Sequence, residues 1–200
     1  MSVKVTQSSI VATDKLIDSA SHVLLVLPKD KPADLPYGAL LEKTLKRKRS
    51  KYADLAKEPV TAQTPGGALL SWVLLDAKAA AFVRHTALRK ATKPLLDEKP
   101  QSLIIAVFGN ESQRATAAKE ACYVTAVNAA AMPSRKAKEK SHALKSIAIH
   151  GWQADDAFAG VLARAGGNTL TRSLTILPPN ELTPEAYRDI YNDIAGIVEP

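Results

Sequence analysis

Two hundred residues and 21.4 kDa are enough chain for one well-buried domain and too little for two large ones. At 46% hydrophobic and 24% charged, the composition excludes intrinsic disorder, and the longest apolar runs are far shorter than the roughly 20 residues of a membrane span. A net charge of +7 favours acidic partners without naming one.

From residue 21 onward, short β-branched or leucine-rich runs alternate with longer amphipathic stretches, the pattern of an α/β layered domain. Val23 to Leu27 reads as a first strand closed by Pro28. A helix is expected from Pro36, with Tyr37, Leu40, Leu41 and Leu45 on one face. Pro65, Gly66 and Gly67 turn the chain into a second strand, Ala68 to Leu75. It leads to a helix over Ala80 to Lys93 with Val83, Ala87 and Ala91 inward, disturbed at Pro94. A third strand, Ser102 to Phe108, is apolar on both faces and belongs in the middle of a covered sheet.

Gly109 and Asn110 then turn into a long helix from Ser112 to Met132, whose inner stripe of Ala118, Cys122, Ala126 and Ala129 permits close approach to the sheet. A basic loop, Pro133 to Ser141, precedes a fourth strand, Ala143 to His150. Asp155 and Asp156 sit where an N-cap and an acidic first turn belong, ahead of a helix with Phe158, Val161, Leu162 and Ala165 inward. That helix is expected to break or pack tightly at Gly166 and Gly167. Four strands alternating with four helices imply an α/β fold of three layers, a mixed or mostly parallel sheet with helices on both faces. After Leu177, Pro178, Pro179 and Asn180, the residues Thr183, Pro184 and Glu185 open a further helix as N-cap, N1 and N2. Its stripe of Tyr187, Ile190, Tyr191 and Ile194 has little chain left to pack on, so the sequence is expected to end just inside a next domain.

Little in the chain reads as catalytic. His22, His85, His142 and His150 are far apart, with no i, i+4 pair and no adjacent Glu, and are taken as surface or edge histidines. Cys122 lies among alanines in a helix, where a thiol is an inert small hydrophobe; as the only cysteine it excludes an internal disulfide and clustered-cysteine zinc sites. Ser71 lacks a nucleophile elbow. Asp155 and Asp156 point to different sides of their helix, as capping residues do. Gly109 and Asn110 stand at a strand end before a helix N-terminus, where an anion could bind, although a tight turn needs the same glycine.

The strongest charge feature is Lys46, Arg47, Lys48, Arg49 and Lys51, with Arg135, Lys136, Lys138 and Lys140 as a second. Cations at a helix C-terminus answer the helix dipole; as a functional surface they would contact a phosphate backbone. No aromatic side chain interleaves either run, so stacking on single-stranded bases is not expected. Met1 to Thr13 has no apolar signal region, which makes the cytoplasm the expected compartment.

The segment Leu170 to Pro184 resembles the inter-domain junction of the leucyl aminopeptidase (cytosol aminopeptidase) family, through Arg172, Leu174, Pro179, Asn180, Leu182, Thr183 and Pro184. Thr86 to Ala91 is similar to part of the family's N-terminal domain. The resemblance implies a macro-domain-like N-terminal domain over residues 1–176, then an inter-domain linker and the first helix of a peptidase domain over 177–200. It also implies a hexameric parent enzyme that releases N-terminal amino acids from peptides using two divalent metals, zinc or manganese, held in a later domain. The family's metal motifs, V-G-K-G-x-x-x-D-x-G-G and N-T-D-A-E-G-R, do not occur here, so no catalytic or metal residue transfers. After Leu75 the chain also departs from the family's second strand ending in Gly-x-Gly. The expected role is assembly and access to the active site. The alternatives are a DNA-binding module working through the basic runs and, as in true macro domains, a binder of ADP-ribose at Gly109.

Overall fold

The computed structural model describes residues 3–133 and 144–197, with side chains described through 193. The strands are β1 (Lys4–Ser8), β2 (His22–Leu27), β3 (Val60–Gln63), β4 (Leu69–Leu74), β5 (Ser102–Val107) and β6 (Ser146–His150). The helices are α1 (Asp14–Asp18), α2 (Gly38–Lys48), α3 (Ala81–Asp97), α4 (Glu111–Ala129), α5 (Ala159–Thr175) and α6 (Pro184–Ile197), with a 3₁₀ turn at Tyr52–Ala56. The strands form one sheet in the order β1-β6-β5-β2-β4-β3, parallel throughout except for the antiparallel β3 edge.

The sheet is the middle of three layers. All six residues of β2 are buried. Leu24 and Val26 point to a core shared with Leu88 and Leu95 of α3, Ala118 and Cys122 of α4, and Val161 of α5. Val23, Leu25 and Leu27 point to the opposite core, closed by Ile17 of α1, Leu41 and Leu45 of α2, and Leu55 of the 3₁₀ turn. Each fully buried Val or Leu contributes about 1.5–3 kcal/mol, so burial on both faces is what makes this run a central strand. β5 lies beside β2, as its two-faced apolarity requires.

The expected three-layer α/β architecture holds, but six strands replace four. β1 and β3 are short, polar edge strands whose alternation is too brief to stand out. β1 is pinned by the Gln7 side chain, whose amide donates to the Ala154 carbonyl at 2.9 Å and accepts from the Ala154 N–H at 2.8 Å. α1 and the 3₁₀ turn are likewise additions to the sequence reading.

Several boundaries move for identifiable reasons. α2 begins at Gly38 and not at Pro36, because Tyr37 is left-handed at φ 55°, its N–H donating to Asp14 Oδ1 at 3.0 Å. α3 runs through Pro94 to Asp97: Leu88, Ala91, Thr92 and Leu95 are all buried, and that packing outweighs the cost of about 3 kcal/mol for an interior proline. Val83, expected inward, is 50% exposed. α4 stops at Ala129, and Ala126 and Ala129 are only half-buried, since the buried stripe follows Ala117, Ala121, Val124 and Thr125. α5 passes Gly166 and Gly167 without breaking, and a Cβ at either would meet nothing within 4 Å, so neither expected reason for the pair applies. Arg135, Lys136, Lys138, Lys140, His142 and the start of the fourth strand at Ala143 lie outside the described residues.

Candidate functional site

Two regions singled out in the sequence have definite geometry, the basic end of α2 and the segment joining α5 to α6. α2 ends in a Schellman arrangement: the Arg49 N–H donates to the Lys46 carbonyl at 3.1 Å and the Ser50 N–H to the Leu45 carbonyl at 3.0 Å. Arg49 occupies the left-handed position, φ 54°, that usually falls to glycine. Lys46, Arg47, Lys48, Arg49 and Lys51 are all exposed, and none forms an ion pair with a described carboxylate. The chain folds back directly into the 3₁₀ turn, where the Lys51 N–H is held by Asp54 Oδ2 at 2.7 Å. The structure thus gathers the five cations at one end of one helix, where the helix dipole also favours positive charge.

At the junction, Arg172 reaches across from α5 and donates through Nη1 to the Val127 carbonyl in the last turn of α4, at 2.6 Å. A guanidinium is well suited to an otherwise unpaired helix-end carbonyl. Leu174 is half-buried on the same helix. The Leu177 N–H returns to the Leu174 carbonyl, and the Glu181 and Leu182 N–H groups donate to the Pro178 carbonyl, so Pro179 and Asn180 sit at the exposed tip of a closed turn. Thr183 Oγ1 accepts from the Ala186 N–H at 3.2 Å and Pro184 is the first residue of α6, the N-cap and N1 roles expected. α6 has no buried residue among those described; Tyr187 is 55% and Tyr191 64% exposed.

The remaining candidates are accounted for by packing. Gly109 has φ +114°, and a Cβ there would lie 2.5 Å from Gln113 Oε1 and 3.2 Å from Pro28 Cβ. The adjoining donors are engaged in a capping box, the Asn110 N–H with Gln113 Oε1 and the Gln113 N–H with Asn110 Oδ1. The turn therefore requires glycine.

Cys122 is fully buried, and burial pushes its thiol up to about 12. Ser71 is fully buried on β4, its hydroxyl without a hydrogen-bond partner among the described residues. His22, taken as a surface or edge histidine, stands at the start of β2 and is buried, its Nε2 2.8 Å from Glu98 Oε2 and its Nδ1 2.9 Å from Ser21 Oγ. That contact ties the start of β2 to the end of α3, a pairing 76 residues apart that no local pattern announces. Desolvation pulls His150 below the ordinary imidazole range. Asp156 caps α5 from its approach loop, Oδ1 accepting from the Phe158 N–H at 3.1 Å and Oδ2 from the Gly160 N–H at 3.0 Å. These bonds, the Gly160 one foremost, hold its carboxyl below the usual range. Among the described residues no group of three His, Cys, Asp or Glu side chains converges.

The sequence matches no family model and no curated relative. Solved structures do match. A mutant of tomato leucine aminopeptidase superposes with a TM-score of 0.68 at 14% identity, covering 98% of this chain and 42% of that one. Leucyl aminopeptidase from Trypanosoma brucei gives 0.61 at 15% identity, again covering 98% and 42%. The bottromycin maturation enzyme BotP, solved in complex with Mn, gives 0.59 at 18% identity, covering 89% and 36%. At such identities the likeness establishes a shared fold. The chain spans well under half the length of each of these proteins.

Proposed function

We propose that this chain is the non-catalytic N-terminal domain of a leucyl aminopeptidase-type metallopeptidase, carried into the first helix of the domain that follows. The observation that supports this most directly is the extent of the fold likeness. With 98% of 200 residues covered, the alignment with the tomato and trypanosome enzymes extends into α6, past the Arg172 to Pro184 junction. Residues 1–176 are the domain proper and 177–200 the linker and first helix. The exposed Tyr187 and Tyr191 are the face on which the chain's own catalytic domain packs. The domain's work is assembly of a hexamer in the cytoplasm and control of access to an active site. The two divalent metals, zinc or manganese, belong to that following domain, where they would polarise the scissile carbonyl and activate water; no residue of this chain is assigned to them.

The test is an assay of the 200-residue chain on a leucine chromogenic amide with manganese or zinc. We expect no turnover; robust metal-dependent cleavage would overturn the proposal.

A second reading, a DNA-binding module, rests on Lys46, Arg47, Lys48, Arg49 and Lys51, which stand exposed at one end of α2 with no ion pair to a carboxylate among the described residues. Titration with a duplex at two salt concentrations decides it. Binding that is absent at low salt, or indifferent to neutralising these five residues, removes it.

A further inference from the structure

On the face of the sheet opposite α2, helices α3, α4 and α5 enclose a trench that neither reading uses. A cavity of about 330 Å³ has Tyr123 and Val127 of α4 as its floor, Phe82, His85 and Arg89 of α3 on one side, and Asn168 of α5 on the other. Two further cavities, of about 360 and 460 Å³, extend it in both directions: one shares His85 and Tyr123 and reaches Arg164, the other shares Arg89 and Asn128 and reaches Lys90 and Lys93.

The lining has two properties that select an occupant. Its carboxylates are already engaged: Glu120 accepts from Arg84 Nε at 2.9 Å, and Asp97 pairs with Lys93 at 2.6 Å. Arg89, Lys90 and Arg164 have no carboxylate partner among the described residues, so the trench carries uncompensated positive charge. Its rim also presents apolar surface, with Phe82 82% exposed beside the tilted rings of His85 and Tyr123, whose centroids are 5.6 Å apart. A phosphate backbone would answer the charge and leave Phe82 in water. An amphipathic helix answers both, with acidic side chains for the cations and an apolar anchor for the rim.

We infer that the α3–α4–α5 trench is a docking surface for an acidic amphipathic helix of a partner protein. This inference goes beyond the aminopeptidase reading and stands without it. The test titrates the full 200-residue chain against a labelled synthetic helix of about 18 residues with Leu and Phe on one face and Glu on the other, and against the same helix with Lys for Glu. The expected result is saturable binding of the Glu helix alone. Arg89→Glu and Phe82→Ala, both exposed positions, should each weaken it about tenfold with the circular dichroism spectrum unchanged.

Equal binding of the Lys helix, or affinities within twofold of wild type for both variants, would overturn the inference. So would competition by duplex DNA that depends on Arg89, which would make the trench a nucleic-acid surface. Concentration-dependent dimerisation abolished by Arg89→Glu would assign it to a second copy of the chain, and would overturn the inference equally.

Discussion

Single residues carry some of the sharpest constraints in this fold. Gly151 has φ +100°, and a Cβ would sit 2.4 Å from the Val107 carbonyl oxygen of the neighbouring strand end. Gly151→Ala must move backbone, and it is expected to cost about 2–4 kcal/mol, read as a lowered urea midpoint. Cys122 predicts a pH dependence. The fold holds its proton more tightly than the unfolded chain, where the thiol has its ordinary value of 9.0, and the folded value is about 12. The stability this group contributes is complete below pH 9 and is lost as pH rises toward 12, at up to about 1.4 kcal/mol per pH unit. Cys122→Ala should therefore flatten the alkaline limb of a stability profile measured between pH 8 and 11. Tyr52, raised mainly by burial and also by Asp30, adds a further loss that begins as pH passes its ordinary value of 10.0 and that this variant leaves untouched. The inertness of Cys122 was legible in its alanine-rich surroundings, whereas the burial of His22 depends on Glu98 arriving from the end of another helix.

At the level of elements, caps and inter-helix ties decide where helices stop and how they meet. Arg49 holds a left-handed conformation that costs an L-residue about 1–2 kcal/mol, in a Schellman turn that glycine fills freely. Arg49→Gly is expected to raise stability by about 0.5–1 kcal/mol after the added entropy of the unfolded chain, measured as a shifted thermal midpoint. Arg84 and Glu120 join α3 to α4 through hydrogen bonds from both Nε and Nη2, each side chain only 15% exposed. Removing either partner strands the other's charge, so Arg84→Ala or Glu120→Ala should cost about 2–4 kcal/mol, and a double-mutant cycle should show strong coupling. The turn at Gly109 and Asn110 into α4 was legible, although the helix was expected from Ser112 and starts at Glu111, capped by Asn110. The passage of α3 through Pro94 was not, because local preference gives way there to the burial of Leu95 and its neighbours.

On the scale of the molecule, the two cores on either face of the sheet are closed by α1 to α5 and the 3₁₀ turn, and α6 contributes no described buried side chain to either. Residues 1–176 should therefore fold alone, with a thermal midpoint within about 2 °C of the full chain, a shift that corresponds to about 0.5–1 kcal/mol. A drop of 10 °C would show that α6 stabilises the domain it follows. The two basic surfaces lie on opposite faces of the sheet, so charge substitutions at α2 and in the trench should be independent of each other.

The layered α/β class, the central strands and the helix at Thr183 were all settled by hydrophobic period and capping chemistry, because these are local and repeat within a few residues. The edge strands carry too little apolar pattern to announce themselves. The trench could not be read from the chain at all: Phe82, Arg89, Tyr123 and Arg164 each look like ordinary surface residues in sequence, and become one surface only where three separate helices pack side by side.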